Sequence, residues 1–220
     1  MKALIIGATR GIGLELTKQY LTEGWHVTAT ARLEADLPKL QALGAQPLKL
    51  DVALPSSVSG MEWMLDGMSF DLVIYVAGII SRLTATTPPT QAEFDAVMHT
   101  NVLGAMQLIP TLAPKVAAKQ GKFVFISSGL GSIAGAESSY TWIYRVSKAA
   151  LNMAVKSAKF DYPQATFAVL SPGWVKTDMG GPQGEIEVDE SVRGLRKVIA
   201  GLQLSESGCF KSYTGKDVPW

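Results

Sequence analysis

Two tyrosines and a lysine fall four residues apart in the stretch SSYTWIYRVSK, as Tyr140, Tyr144 and Lys148. Read as helix, this spacing lines all three up on one face, one turn apart. A free tyrosine ionises near pH ~10, so a phenolate at neutral pH costs several kcal/mol at about 1.36 kcal/mol per unit. A neighbouring ammonium lowers that cost. The pairing suits acid–base chemistry by a phenol and equally suits a packed surface pair. Spacing alone lets either tyrosine be the reacting one.

A second constellation lies near the N-terminus. LIIGATRGIGLELTKQY puts Gly7, Gly11 and Gly13 where a first strand passes into a first helix. Glycine allows the tight turn and lets backbone N–H groups approach a pyrophosphate closely. The positive end of the helix dipole then faces the anion. The spacing is G-x-x-x-G-x-G, which differs from the general dinucleotide fingerprint. At the end of the second strand, an acid would bind the ribose 2′-hydroxyl of NAD, whereas an arginine accommodates the 2′-phosphate of NADP. TATARLEAD supplies Arg32 there, and Arg10 inside the glycine turn adds a second cation. The expected cofactor is therefore NADP(H), with NAD(H) as the second choice. Asp51, ending a third strand in LKLDV, suits an adenine amino group or a cap on the next turn.

The elements that must carry these residues follow from periodicity. Strands are predicted at 3–7, 26–31, 47–52, 71–78, 122–128 and 166–173, with a short one near 208–213. Helical spacing runs over 11–23, 34–43, 56–67, 91–118, 141–160 and 188–202. Strands alternating with helices predict an α/β, Rossmann-type doubly wound parallel sheet of about seven strands, helices on both faces. The strands are nearly continuous apolar runs, as sheets covered on both sides require. No linker or repeat divides residues 1–220, so one domain is expected.

Composition narrows the function classes. Hydrophobic residues make up 47% and charged residues 18%, enough for a sizeable core. Lys+Arg is 20 against 19 for Asp+Glu, which gives no electrostatic reason to expect nucleic acid. His26, His99 and Cys209 lie far apart, so no metal site is expected. One cysteine fits a reducing compartment, and no apolar run suits a signal peptide or a spanning helix. The expectation is a soluble, cytoplasmic protein with no membrane partner.

In order and spacing, GATRGIG, LDV, Ala77-Gly78, Asn101 in NVLGAM, ISS at 126–128, YRVSK at 144–148 and PGWVKTDM at 172–179 resemble the short-chain dehydrogenases/reductases. The likeness spans essentially the whole chain. GSIAG, YRVSKAALNM, PGWVKTDMGG and the ending GKDVPW are similar to a narrower branch, that of the C-factor (C-signal) proteins and the sniffer-type carbonyl reductases.

The resemblance implies roles. Tyr144 would be the acid/base, and Lys148 would lower its pKa and hold the nicotinamide ribose. Ser128 would polarise the carbonyl, ahead of Ser127 and Ser132, and Asn101 would hold a water linking the lysine to solvent. Gly7, Thr9, Arg10, Gly11, Ile12, Gly13, Arg32, Asp51, Val52, Ala77 and Gly78 would line the cofactor site, with Pro172, Gly173, Val175 and Thr177 closing it over the carboxamide. The implied activity is NADP(H)-dependent reduction of a carbonyl, or oxidation of an alcohol. The alternative is a cofactor-binding signalling protein of the C-factor type, which has no evident need for a phenol–lysine pair. The family also implies a homodimer or homotetramer formed through the two long helices.

Three features stand apart from the family pattern. Ser128 lies 144 − 128 = 16 positions before Tyr144, a longer interval than many members have. Tyr75 and Val76 stand where the family usually carries two asparagines, which predicts altered packing or cofactor affinity. Ile6 stands where a threonine is common. Tyr140 is expected to shape the pocket or pack, Trp142, Trp174 and Met179 to wall a substrate site or join the core, and MGGPQGEIEVDE (179–190) to form a small lid of flexible composition.

Overall fold

The computed structural model describes residues 1–220. Seven strands form one parallel sheet in the order β3-β2-β1-β4-β5-β6-β7. They are β1 (Lys2–Ile6), β2 (His26–Ala31), β3 (Gln46–Lys49), β4 (Leu72–Tyr75), β5 (Lys122–Ile126), β6 (Thr166–Ser171) and β7 (Cys209–Ser212). The helices between them are α1 (Gly11–Thr22), α2 (Leu37–Ala42), α3 (Pro55–Ser59), α4 (Met61–Met64), α5 (Gln91–Met98), α6 (Gly104–Ala117), α7 (Trp142–Ala158) and α8 (Val188–Gly201). The predicted doubly wound α/β fold is the one observed.

Strand alternation divides the core into two layers. Leu4, Ile6, Val73, Tyr75, Phe123, Phe125 and Phe167 face one way, against α6 and α7. Ala3, Ile5, Leu72, Ile74, Val124 and Ile126 face the other, with Leu16 of α1, Leu40 of α2 and Leu195 of α8. The period of two along each strand places successive side chains on opposite faces. Chain order reverses between β1 and β4, the position at which open α/β sheets form a crevice beyond their strand ends.

Most strands are shorter than periodicity predicts, and the difference is informative. Val76–Gly78, Ser127–Ser128 and Pro172–Gly173 leave the sheet and line that crevice instead. Their apolar and small side chains continue the strand pattern while their backbones turn away. The predicted helix 56–67 is interrupted at Gly60, giving α3 and α4, and 34–43 opens with a single 3-10 turn at Glu34–Asp36.

The long predicted helix 91–118 is also divided. Between α5 and α6 the chain forms a π-helical turn, His99–Leu103, centred on Asn101. Tyr75 anchors it: fully buried in β4, its hydroxyl donates to the Thr100 carbonyl at 2.6 Å. The same ring stacks on Phe125, with centroids 6.0 Å apart.

Candidate active site

The crevice at the switch point opens into a cavity of about 1070 Å³, lined by the turn after β1, the ends of β2–β6 and the N-terminal end of α7. The residues given catalytic or cofactor-binding roles by the resemblance all line it except Asn101, which is buried behind the wall.

Its first part is built around the glycine turn. Gly7 has φ +89°, and a Cβ there would lie 2.8 Å from the Ala77 nitrogen. A Cβ on Gly13 would lie 2.0 Å from the Gly7 carbonyl oxygen. These positions accept glycine alone. Thr30 of β2 holds the turn in place, its hydroxyl accepting from Gly7 N at 3.0 Å and its carbonyl from Ala8 N at 3.0 Å. No side chain caps α1, so its first-turn N–H groups stay available to an anion. This cradle, with the long cavity beyond it, fits the diphosphate of a dinucleotide.

Cations gather beside the cradle. Arg32 follows β2 on the cavity rim and has no carboxylate partner. Arg10 pairs with Asp178 at 3.5 Å, both side chains well exposed. Lys39 of α2 donates to the Thr9 carbonyl at 2.9 Å. Asp51 lines the cavity while one carboxylate oxygen accepts from Ala53 N at 3.0 Å, so it caps the local turn and keeps the other oxygen free of protein partners.

Ser128, Tyr144 and Lys148 meet at the other end. Tyr144 and Lys148 are buried one turn apart on α7, with the ammonium 5.5 Å from the ring centroid. Lys148 Nζ donates to the Ile126 carbonyl at 2.9 Å, which draws α7 onto the end of β5. Burial holds the Lys148 ammonium down to about 8. Burial also pushes the Tyr144 phenol up to about 12, a rise that the neighbouring Ser128 hydroxyl partly offsets, while Ser128 Oγ accepts from Leu130 N at 3.1 Å. At neutral pH this site holds a protonated phenol.

The neighbouring serines are spent elsewhere. Ser127 donates to Asn152 Oδ1 at 2.7 Å inside the protein. Ser132 Oγ accepts from Gly135 N at 3.0 Å and does not line the cavity. Asn101 braces the site from behind. Its Oδ1 accepts from Ile79 N at 2.8 Å, and its amide donates to the Ile79 carbonyl and to Ser147 Oγ, each at 2.9 Å. Ser147 in turn donates to the Tyr144 carbonyl at 2.8 Å.

Tyr140 is not on the helical face that the spacing suggests. α7 starts at Trp142, and Thr141 before it takes the left-handed conformation at φ +59°. That is costly for a β-branched residue. It swings Tyr140 away from Tyr144, and the Tyr140 hydroxyl accepts from Arg82 Nη1 at 3.1 Å. Trp174 and Met179 line the cavity, whereas Trp142 does not.

The segment predicted to be a flexible lid is closely braced. Trp174 Nε1 donates to the Gly180 carbonyl at 2.8 Å, Gly180 N donates to Thr177 Oγ1 at 3.0 Å, and Val175 bridges Ile186. Ser191 of α8 fixes the start of the loop by donating to the Pro172 carbonyl at 2.7 Å.

The sequence profile described as short chain dehydrogenase matches residues 1–187. The chain belongs to the short-chain dehydrogenase family. C-signal of Myxococcus xanthus is 37% identical to it over 155 residues, covering 68% of this chain and 92% of that one. Two solved structures share the architecture. The NADPH-bound carbonyl reductase from chicken fatty liver superposes with a TM-score of 0.90 at 31% identity, over 100% of this chain and 98% of its own. The carbonyl reductase Sniffer of D. melanogaster gives 0.90 at 29%, over 100% and 99%.

This short-chain dehydrogenase is therefore an oxidoreductase-family protein of the C-signal/sniffer type, with a site for a nicotinamide cofactor. None of its helices is long and apolar enough to cross a membrane. Among the cavity residues outside the family motifs are Thr30, Lys39 and Arg82. Thr30 sits in a run of apolar and threonine residues that reads only as strand. Lys39 and Arg82 sit in surface-like segments whose approach to the cavity depends on tertiary contacts.

Proposed function

We propose that this protein is an NADPH-preferring carbonyl reductase, or an alcohol dehydrogenase in the reverse direction, working as one domain over residues 1–220. The observation that carries the reading is the convergence of Ser128, Tyr144 and Lys148 at the far end of a cavity that begins with a diphosphate cradle. A protein that only bound the cofactor would have no use for a buried phenol and ammonium, which are costly to keep without water.

Gly7, Thr9, Gly11, Ile12 and Gly13 would hold the diphosphate, and Asp51, Val52, Ala77 and Gly78 would flank the adenine and the diphosphate bridge. Arg32, helped by Arg10 and Lys39, would receive a 2′-phosphate. Pro172, Gly173, Val175 and Thr177 would orient the carboxamide. When bound, the cofactor supplies or accepts the hydride.

Ser128 would donate a hydrogen bond to the carbonyl oxygen, one that strengthens as that oxygen gains charge. The Tyr144 phenol would give the oxygen its proton. Lys148 would stabilise the phenolate left behind and hold the ribose. Asn101 would keep Ile79 and the Tyr144 turn in place and support the water path by which the proton is replaced. Leu103, Met106, Val146 and Met153 leave an apolar surface on the α5–α6 and α7 face, which supports a homodimer or homotetramer built through these helices.

Following NADPH and NADH oxidation with a panel of aldehydes and ketones tests the reading. The expected result is NADPH-dependent turnover. Tight NADPH binding with no turnover of any carbonyl compound would contradict it and favour the cofactor-binding alternative suggested by the likeness to C-signal.

A further inference from the structure

Beyond the reacting groups, the cavity wall is mostly apolar, with Ile79, Ile80, Leu130, Trp174 and Met179 among its residues. Arg82 stands among them and lines the same cavity. Its guanidinium is oriented from two sides: Nη1 donates to the Tyr140 hydroxyl at 3.1 Å and Nη2 to the Met179 carbonyl at 2.9 Å. Both partners are neutral. No carboxylate lies within ion-pairing distance of Arg82, and Asp178, beside Met179 in the chain, is turned to Arg10. The left-handed backbone of Thr141 is what brings the Tyr140 hydroxyl to this position. A strained residue thus serves to orient a cation at the cavity wall.

An oriented guanidinium with two neutral partners retains unused N–H groups and a full positive charge. We propose that Arg82 is the substrate-anchoring residue and that the substrate is a carbonyl compound carrying an anionic group, a carboxylate in the simplest case. The anion binds the free N–H groups of Arg82, and the apolar wall covers the carbon skeleton between it and the carbonyl. This specificity rests on the reductase reading given above.

A matched pair of probes tests it. 4-Carboxybenzaldehyde and methyl 4-formylbenzoate have similar shapes and differ in charge. With NADPH, the native protein is expected to prefer the acid by about 10- to 100-fold in kcat/KM, the range of a charge-assisted hydrogen bond. Arg82→Gln should remove this preference, the acid rate falling about 10- to 100-fold more than the ester rate, and Arg82→Lys should restore part of it. Equal rates on both probes in the native protein, or an equal loss on both in Arg82→Gln, would overturn the proposal and make Arg82 a strap for the 174–186 loop. Binding of terephthalate to the NADP⁺-loaded protein, measured calorimetrically, separates this idea from the reductase reading. Arg82-dependent binding without turnover retains the anion site and sinks the reductase. Terephthalate binding that Arg82→Gln leaves unchanged sinks the anion site alone.

Discussion

Tyr75 in the centre of the sheet donates its hydroxyl hydrogen to the Thr100 carbonyl at 2.6 Å, the residue before Asn101 in the π turn. Widened turns of this kind free backbone groups from the regular helical ladder, and a buried carbonyl then needs another donor. The tyrosine that departs from the family's asparagine is thus the support of the helix that carries Asn101. Tyr75 itself stays out of the cavity, and Val76 lines it.

Removing that hydroxyl tests the support. Tyr75→Phe keeps the ring stacked on Phe125 and removes the hydroxyl that donates to the Thr100 carbonyl. A loss of about 1–3 kcal/mol in unfolding free energy is expected, with a several-fold fall in kcat. Urea denaturation and steady-state rates measure both. Unchanged stability and rate would show that the bond carries no weight.

Arg32 is the residue proposed to receive the 2′-phosphate. Arg32→Asp replaces a cation by an acid suited to a ribose hydroxyl. The ratio of kcat/KM for NADPH over NADH should fall by about 10- to 100-fold or more, in keeping with loss of a charge-assisted hydrogen bond. An unchanged ratio would move 2′-phosphate recognition to Arg10 or Lys39.

Lys148 is costly to the fold. Burial holds its folded value at about 8, against an ordinary 10.5. The unfolded chain therefore binds the proton more readily, and stability rises with pH between those two values. The penalty is present in full below pH ~8 and disappears above pH ~10.5. Lys148→Met should stabilise the cofactor-free protein at pH 7 by about 1–3 kcal/mol, after the lost bond to Ile126, while abolishing turnover. The gain should shrink as pH rises. A variant less stable than the native protein at pH 7, or a gain independent of pH, would contradict this.

Much of this arrangement was legible beforehand, because local patterns carried it. Alternating apolar residues announced the strands, glycines the tight turn after β1, and the Tyr144–Lys148 interval the helical turn that reaches the cavity. What was not legible depends on contacts distant in sequence. Nothing local marks the π turn at Asn101, which Tyr75 supports from another strand. Helical periodicity placed Tyr140 beside Tyr144, since no residue type signals that Thr141 will be left-handed. Arg82 reads as an ordinary loop arginine until Tyr140 and Met179 are folded against it.

The phenol provides a titration test. Burial pushes Tyr144 up to about 12, so the cofactor-free protein keeps this proton where free tyrosine is half ionised, near pH ~10. The folded state binds the proton more tightly, so its stabilising contribution is complete below pH ~10 and is lost towards ~12. An ultraviolet difference titration of native protein against Tyr144→Phe should show no phenolate from Tyr144 at pH 10. A phenolate appearing below pH 10 would mean that Lys148 activates the tyrosine without the cofactor.

The central claim is that Tyr144 gives the proton. NADPH oxidation with a carbonyl substrate, compared between native protein and Tyr144→Phe at matched cofactor saturation, tests it most directly. The expected result is a fall in kcat of about 100- to 10,000-fold while NADPH affinity stays within a few-fold. Turnover in Tyr144→Phe close to the native rate would contradict it.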